Sequence, residues 1–419
     1  VKKKILFIAI LIASFLLSGC WDYMEYEQMA MVSALGIDFN KDTGKITVTV
    51  QVIEASSSGA QGQSGDSGQK GGKSKPSVEV MVLSATDVTL TRALTEIQQG
   101  TGRRLFYGYQ QLLVISEDAA KNIMDEIEGY FDRTPQVRST AYLIVTSQSC
   151  EDVLSTIDPG IKGIPSENIY RLVKISGDTG KSSAVSIKDF SQAMAIGGLE
   201  AVAPRIITRS SQEKGMQQNE NDNNIQHVKF IETKDGHHIV QGIAAFKGVK
   251  LAGWLDSKES LGWAWITDKS IKTYETTNRS EETYSKETID FRITKSKSSI
   301  KPKFDGNKLV INVDVHVEAT LVKSKKNSDL LTPDVLSSME KELSDCVNGD
   351  IKASLEKVQK ELKTDIFGFG FSFYRKYPKL WHSTYEQKWD ELFPDIPVLV
   401  NVDAKLINTG TTIRRFIFK

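Results

Sequence analysis

The sequence predicts an α+β fold, with mixed sheets and packed helices spread over several domains. Leu309–Ala319 and Val398–Leu406 alternate apolar and polar side chains, the period of a strand with one buried face. Leu336 to Leu362 spaces its apolar residues three and four apart, the period of a helix with one buried stripe. With 419 residues, 40% of them hydrophobic and 25% charged, the chain can build its cores without metal or disulfide staples.

The elements follow in order. Lys2, Lys3 and Lys4 precede an apolar stretch from Ile5 to Leu17, too short for a conventional spanning helix and shaped like an export signal. Leu17-Ser18-Gly19-Cys20 at its end resembles a lipobox, so Cys20 is the expected site of diacylglycerol attachment once residues 1–19 are removed. Loss of those lysines leaves a mildly acidic body with no polybasic run in the sequence to draw it onto anionic lipid. Ile46, Val48, Val50 and Val52 make a half-buried strand that enters a Ser/Gly/Gln tract, 56–77, read as a disordered loop. After a strand at Val78–Leu83, Thr86 or Asp87 is positioned to cap a helix with the stripe Leu90, Ala93, Leu94 and Ile97, closed by Gly100. A strand at Gln111–Ile115 leads to Ser116, the cap of a helix bearing Ile123, Ile127, Tyr130 and Phe131. Ala141–Val145 is a continuous apolar strand, and Ser149 with Asp152 and Ser186 with Asp189 form capping boxes.

The polar run Arg209–Asn224 is a candidate boundary. Ile239–Phe246 and Val249–Leu255 flank Lys247-Gly248 as a hairpin, and Thr273–Lys286 is a loop or exposed edge. Phe291–Ile293 and Leu309–Ala319 are strands; the latter turns Leu309, Ile311, Val313, Val315 and Val317 one way and Asn312, Asp314, His316 and Glu318 the other. Thr332-Pro333 opens the long helix, a shorter one from Pro378 aligns Trp381, Tyr385, Trp389 and Leu392 up to Pro394, and a strand with Val398, Val400, Val402, Ala404 and Leu406 follows.

Reactive groups do not converge in the sequence. With 53 basic and 53 acidic residues the chain lacks the excess charge of a nucleic-acid binder, and three cysteines and five histidines exclude multi-Cys zinc modules and disulfide frameworks. His237 and His238 are adjacent, just before a strand, where neighbouring residues face opposite sides and chelate poorly; His316 sits on a solvated face, and His227 and His382 show no partner at motif spacing. Gly368-Phe369-Gly370-Phe371 lacks the Lys-Ser/Thr of a phosphate loop, and Asp125, Glu126 and Glu128 read as a solvated helix face. Cys150 and Cys346, far apart in helix-like segments, read as free thiols, with their pairing left open. Two clusters mix cations with aromatics: Arg103, Arg104 and Tyr107, and Arg375, Tyr377 and Trp381. Two readings stay open for them, packing with a cationic rim or anchors of a protein interface.

Several motifs, in order, resemble the Ger(x)C family, the C-subunit lipoproteins of spore germinant receptors. They are Cys20-Trp21-Asp22; Met31-Val-Ser-Ala-Leu-Gly-Ile-Asp38; Gly102-Arg-Arg-Leu-Phe-Tyr-Gly108 with Leu113-Val-Ile-Ser-Glu117; and Phe131-Asp-Arg-Thr-Pro135 with Arg138. Gly242 to Trp254, and Asp365-Ile-Phe-Gly-Phe-Gly370 through Arg375–Trp381 to Trp389–Pro394, complete the set. Thr134 stands where the family more usually has an acidic residue, and the 56–77 tract is longer than the family pattern. The resemblance implies a three-domain α+β lipoprotein: signal peptide 1–19, N-terminal domain 20–205, middle domain 206–290 and C-terminal domain 291–419. It implies a non-enzymatic subunit without cofactor, lipid-anchored through Cys20 on the outer face of the spore inner membrane. Its partners would be a multi-pass A subunit and a transporter-like B subunit, not nucleic acid. The competing reading is a solute-binding lipoprotein that delivers a nutrient to a transporter.

Overall fold

The computed structural model describes Lys4 and residues 28–55, 78–134, 136–158, 164–210, 228–231, 234–269, 271–277, 288–305, 308–323 and 332–408. Cys20 and the rest of the signal junction, the 56–77 tract, residues 211–224 of the polar run and His227 lie outside the described residues.

Strand β1 (Met29–Asn40) turns back into β2 (Lys45–Ala55) through Gly44 at φ 66°, while Asn40 Oδ1 accepts the N–H groups of Asp42 and Thr43. From Ala34 to Ile37, β1 is buried on both faces, so it carries no alternation for the eye to find. In β2 the expected row Ile46, Val48, Val50 and Val52 is buried, yet Thr49 and Gln51 on its other face are buried too. Gln51 explains its own burial: its amide donates to the Leu154 carbonyl and accepts from Ser33 Oγ and Ser166 N–H, so polar partners arrive from above. β3 (Val78–Asp87) runs four residues past its expected end because Thr86 and Asp87 stay in register with Thr47 and Ile46. The cap of α1 (Leu90–Thr101) is therefore Thr89, and Gly102, at φ 63°, replaces Gly100 as its terminator.

A short β4 (Arg104–Phe106) precedes β5 (Leu112–Ser116), and Ser116 caps the next turn as expected. That helix breaks at Ile123 into α2 (Glu117–Asn122) and α3 (Met124–Arg133). Then come β6 (Tyr142–Thr146), α4 (Cys150–Ser155), β7 (Thr156–Ile157), α5 (Pro165–Asp178) and α6 (Ile187–Ala195), the last with the full Ser186–Asp189 capping box. Ser149 caps α4 through the Asp152 N–H. β8 (Val202–Ser210), β9 (Val228–Ile231), β10 (Lys234–Lys247) and β11 (Lys250–Leu255) complete one sheet, ordered β11-β10-β8-β6-β5-β1-β2-β3-β9 with β4 added to β1 and β7 to β10. Its centre, β1-β5-β6-β8, is parallel. Odd and even residues there serve different layers: Leu113 and Ile115 pack with α1, α2 and α3, while Leu112 and Val114 pack with α4 and α5.

Helix α7 (Ser257–Ile266), capped by an Asp256–Glu259 box, leads to the second sheet. That sheet is β12 (Tyr274–Thr276), β13 (Asp290–Asp305), β14 (Lys308–Lys323) and, at the end of the chain, β15 (Val398–Asn408). α8 (Pro333–Leu355), continued by a wider π-helical turn over Glu356–Leu362, buries Met339, Leu343, Val347, Ile351 and Val358 against it. β12, β13 and β14 are antiparallel; β15 joins β14 in parallel, since a long helical crossover returns the chain to the starting end. On the free side of β15, Ser344 Oγ accepts the Ala404 N–H at 3.2 Å and Glu340 Oε1 that of Leu406 at 3.0 Å. The segment 206–290 has no sheet of its own among the described residues: β8 to β11 belong to the large sheet and β12 to the small one. Val202, Ile243, Ala245 and Leu255 of the large sheet share one core with the small sheet's helices.

Candidate functional site

The C-terminal signature folds around a buried carboxylate. Lys363, at φ 51°, ends the helix before it, and Asp365 follows, 4% exposed. Its Oδ1 accepts the backbone N–H groups of Gly368 (2.9 Å) and Phe369 (3.1 Å); its Oδ2 accepts those of Gly370 (2.8 Å) and of the Trp389 indole (3.0 Å). Consecutive N–H groups converging on one anion form a nest. The glycine-rich stretch is thus an anion cradle after all, filled by the chain's own aspartate. Burial pushes the Asp365 carboxyl up to about 6, opposed by these hydrogen bonds.

The same segment clamps the two sheets together. Phe371 N–H donates to the Gly198 carbonyl at 2.8 Å and Glu200 N–H to the Asp365 carbonyl at 3.0 Å. Gly198 sits at φ 78°, and a Cβ on Gly370 would lie 2.7 Å from its Cα and 2.7 Å from the Trp389 ring, so both positions need a bare backbone. From the β10–β11 hairpin, the Phe246 carbonyl accepts Thr364 Oγ1 at 2.5 Å and Lys247 reaches Asp390 at 3.4 Å.

Behind the nest, α9 (Phe369–Lys376) starts an aromatic cluster of Phe373, Tyr377, Trp381, Tyr385 and Trp389, with Phe373–Tyr385 centroids at 4.8 Å and Trp381–Trp389 at 5.4 Å. The expected regular helix from Pro378 is broken by a π-turn at Trp381–Tyr385 and a 3-10 turn at Glu386–Lys388 before Trp389–Leu392. The wider turn sets Trp381 and Trp389 into the core together and leaves Leu392 38% exposed. Trp381 is 2% exposed and so is not a surface anchor; Tyr377 is half-buried, and Arg375 lies on the surface with its guanidinium 5.9 Å from the Phe371 ring centre. His382 does have a partner at helical spacing: its Nδ1 is 2.9 Å from Glu386 Oε2.

In the N-terminal cluster the strand alternation decides which side chains show. Leu105 and Tyr107 point inward, Tyr107 only 6% exposed, with burial raising its phenol pKa; Arg104 and Phe106 point outward, Phe106 at 39%, and Arg103 is half-buried. Tyr107 is therefore removed from the candidate surface and Phe106 takes its place, as Leu105 used as an inward marker would have indicated. Arg138 Nη1 donates to the Gly108 carbonyl at 3.4 Å, and Tyr109 OH to Glu167 at 2.6 Å.

The other histidines described each meet a polar partner. His238 is buried, its Nε2 2.8 Å from the Val153 carbonyl, with burial lowering its pKa; exposed His237 meets Asp158 at 3.0 Å, and His316 meets Asp403 at 3.4 Å. Cys150 and Cys346 are free thiols. Cys346 lies with Glu275 and Asp350 in a group whose ligand-type atoms are within 4.8 Å of one another, where its thiol donates toward Glu275 Oε2 at 3.7 Å. Cys150 packs under β1, and Asp38 accepts its backbone N–H with both oxygens, at 3.0 and 3.1 Å. Burial pushes the Asp38 carboxyl up to about 6. The folded chain then holds that proton more tightly than the unfolded one, whose pKa is near 3.9. The Asp38 contribution to stability falls as pH rises from about 4 to 6 and is flat above. Asp38→Asn should abolish that slope: relative to the parent, its urea midpoint should improve between pH 4 and pH 7 by the equivalent of about 1–3 kcal/mol.

The two-sheet fold carries the signature motifs in order, and two family models together cover most of the chain, at residues 22–208 and 241–410: the chain belongs to the Ger(x)C family of spore germination proteins. Residues 22–208 match the family described as spore germination protein N-terminal domain, and residues 241–410 that described as spore germination B3/GerAC like, C-terminal. Spore germination protein KC of Bacillus subtilis (strain 168) is 27% identical, covering 98% of this chain and 97% of that protein. Spore germination proteins YndF and B3 of the same organism are each 24% identical, covering 94% of this chain and 94% and 95% of theirs. The crystal structure of the GerBC protein shares the fold, with TM-score 0.52 and 19% identity over 89% of this chain and 97% of that one. Among the described residues, no helix is long and apolar enough to cross a membrane.

Proposed function

We propose that the chain is the lipid-anchored, non-enzymatic C subunit of a nutrient germinant receptor, acting by contact with membrane A and B subunits. The observation that carries this reading is the match of both family regions along nearly the whole body. Acylation at Cys20 fixes the body at the membrane, and confinement to one surface makes weak protein contacts sufficient. Of the residues expected at a protein interface, Arg375 and the rim of Tyr377 are accessible on the C-terminal half.

Cys20→Ala tests the anchor. The variant should leave the membrane fraction while keeping its fold, and spores carrying it should germinate slowly with nutrients; normal germination by a released variant would overturn the reading. A nutrient that raised the melting temperature of the purified chain on its own would favour the solute-delivery alternative, since ligand at 100 times its Kd adds about 2.7 kcal/mol.

A further inference from the structure

We propose that two copies of the chain pair side by side through Val398–Val402 of β15, joining their small sheets into one. β15 bonds β14 through its odd-numbered residues, with the Pro397 carbonyl accepting the Ile311 N–H at 2.9 Å. The N–H and C=O groups of Val398, Val400 and Val402 therefore point away from the sheet, and no described residue bonds them. On both flanks the backbone is already taken. Ile396 donates to the Phe393 carbonyl and accepts the Gln359 amide at 3.1 Å, while Ser344 and Glu340 of α8 hold the Ala404 and Leu406 N–H groups. Further along, α8 is drawn against α7, where a Cβ on Gly262 would collide with the Asp350 carbonyl and the Ser354 side chain, and it gives the three valines no bond.

This open stretch is complementary to itself. Ile396 and Ala404 lie equally far from Val400, so an antiparallel copy centred there sets Val400 against Val400 and Val398 against Val402. Each of the three then donates and accepts one backbone hydrogen bond, and the closed Ile396 of one copy falls opposite the closed Ala404 of the other. Leu399, 59% exposed on the outer face of the small sheet, gains Asn401 of the second copy opposite it and the second Leu399 on the diagonal. Beyond the paired stretch the approaching charges are mixed in sign: Lys405, Glu340 and Asp403 from one copy, Asp395 and Lys360 from the other. A contact this short buries less than the ~1,200 Å² of specific complexes that are stable in solution. It therefore depends on confinement of both copies to one membrane, and in this it rests on the reading of Cys20 as the acylated residue.

The test mixes two full-length, acylated variants, Leu399→Cys and Asn401→Cys, in phosphatidylglycerol vesicles, oxidises them briefly and reads the linked peptides by mass spectrometry. The pairing sets these two positions about 4.5 Å apart between Cα atoms, within reach of a disulfide. The expected result is a 399–401 link about fivefold or more above the 399–399 and 401–401 links. Adding Val400→Pro, which removes the central N–H at a position where the fold does not use it, should abolish that excess while the chain still melts cooperatively. Equal yields of the three links, no link, a link that forms only in a chain truncated after Asn408, or attachment of both cysteines to a different protein in native membranes would overturn the proposal. The mass of the amino-terminal peptide reports acylation separately: an unacylated chain that still shows the 399–401 excess sinks the anchor and keeps the pairing, and an acylated chain without it does the reverse.

Discussion

Asp365→Ala should destabilise the protein by about 2–5 kcal/mol, since it deletes the shared acceptor of four buried neutral donors. The substitution strands three backbone N–H groups and the Trp389 indole N–H in a site without water-facing alternatives. Each orphaned donor carries a desolvation penalty of about 1–3 kcal/mol, and partial collapse of the nest recovers some of it. Asp365→Asn should be nearly as harmful, because each carboxylate oxygen accepts two donors and the amide nitrogen would confront two of them. Urea unfolding followed by tryptophan fluorescence reads both, and Trp389 should report an altered environment even in the folded variants. An Asp365→Asn protein as stable as the parent would refute the hub.

The second large effect is at the joint. Gly198→Val puts a β-branched residue at φ 78° and a Cβ 2.5 Å from the Gly370 carbonyl carbon. Left-handed strain of about 1–2 kcal/mol adds to an overpacking cost of about 1–3 kcal/mol. The loss should appear as loosening between the sheets, with earlier proteolysis of the 196–200 segment, before it appears as melting of either sheet. Gly197→Ala is the control, since its added Cβ meets nothing nearer than Glu386 Oε1 at 3.8 Å. If both variants behave alike, close approach at Gly198 is not what joins the halves.

Much of this architecture could be read in the sequence wherever one face of an element meets water. The Leu309–Ala319 alternation and the stripe from Met339 to Val358 are such cases, and the caps at Ser116 and Ser186 are local chemistry. β1 was legible only as a family motif, because burial on both faces erases its period. The exposure of the candidate interface residues was half legible. Aromatics beside cations have the same composition in a core rim as in a binding surface, and only the strand register separates Phe106 from Tyr107. A π-turn, invisible to a fixed helical period, drew Trp381 inward. The Asp365 cradle hid because three of its donors are backbone groups and the fourth, Trp389, lies 24 residues on.

The outer strand of the small sheet bears on how copies of the chain behave when they meet side by side. An uncovered edge invites a neighbour to zip on, strand against strand, and so to build a chain of molecules. Glu340 and Ser344 already occupy two of the amide groups such a zipper would need, and Lys405, 3.5 Å from Glu340, adds charge at that spot. At Ala404 and Leu406 this border is therefore closed to strand addition.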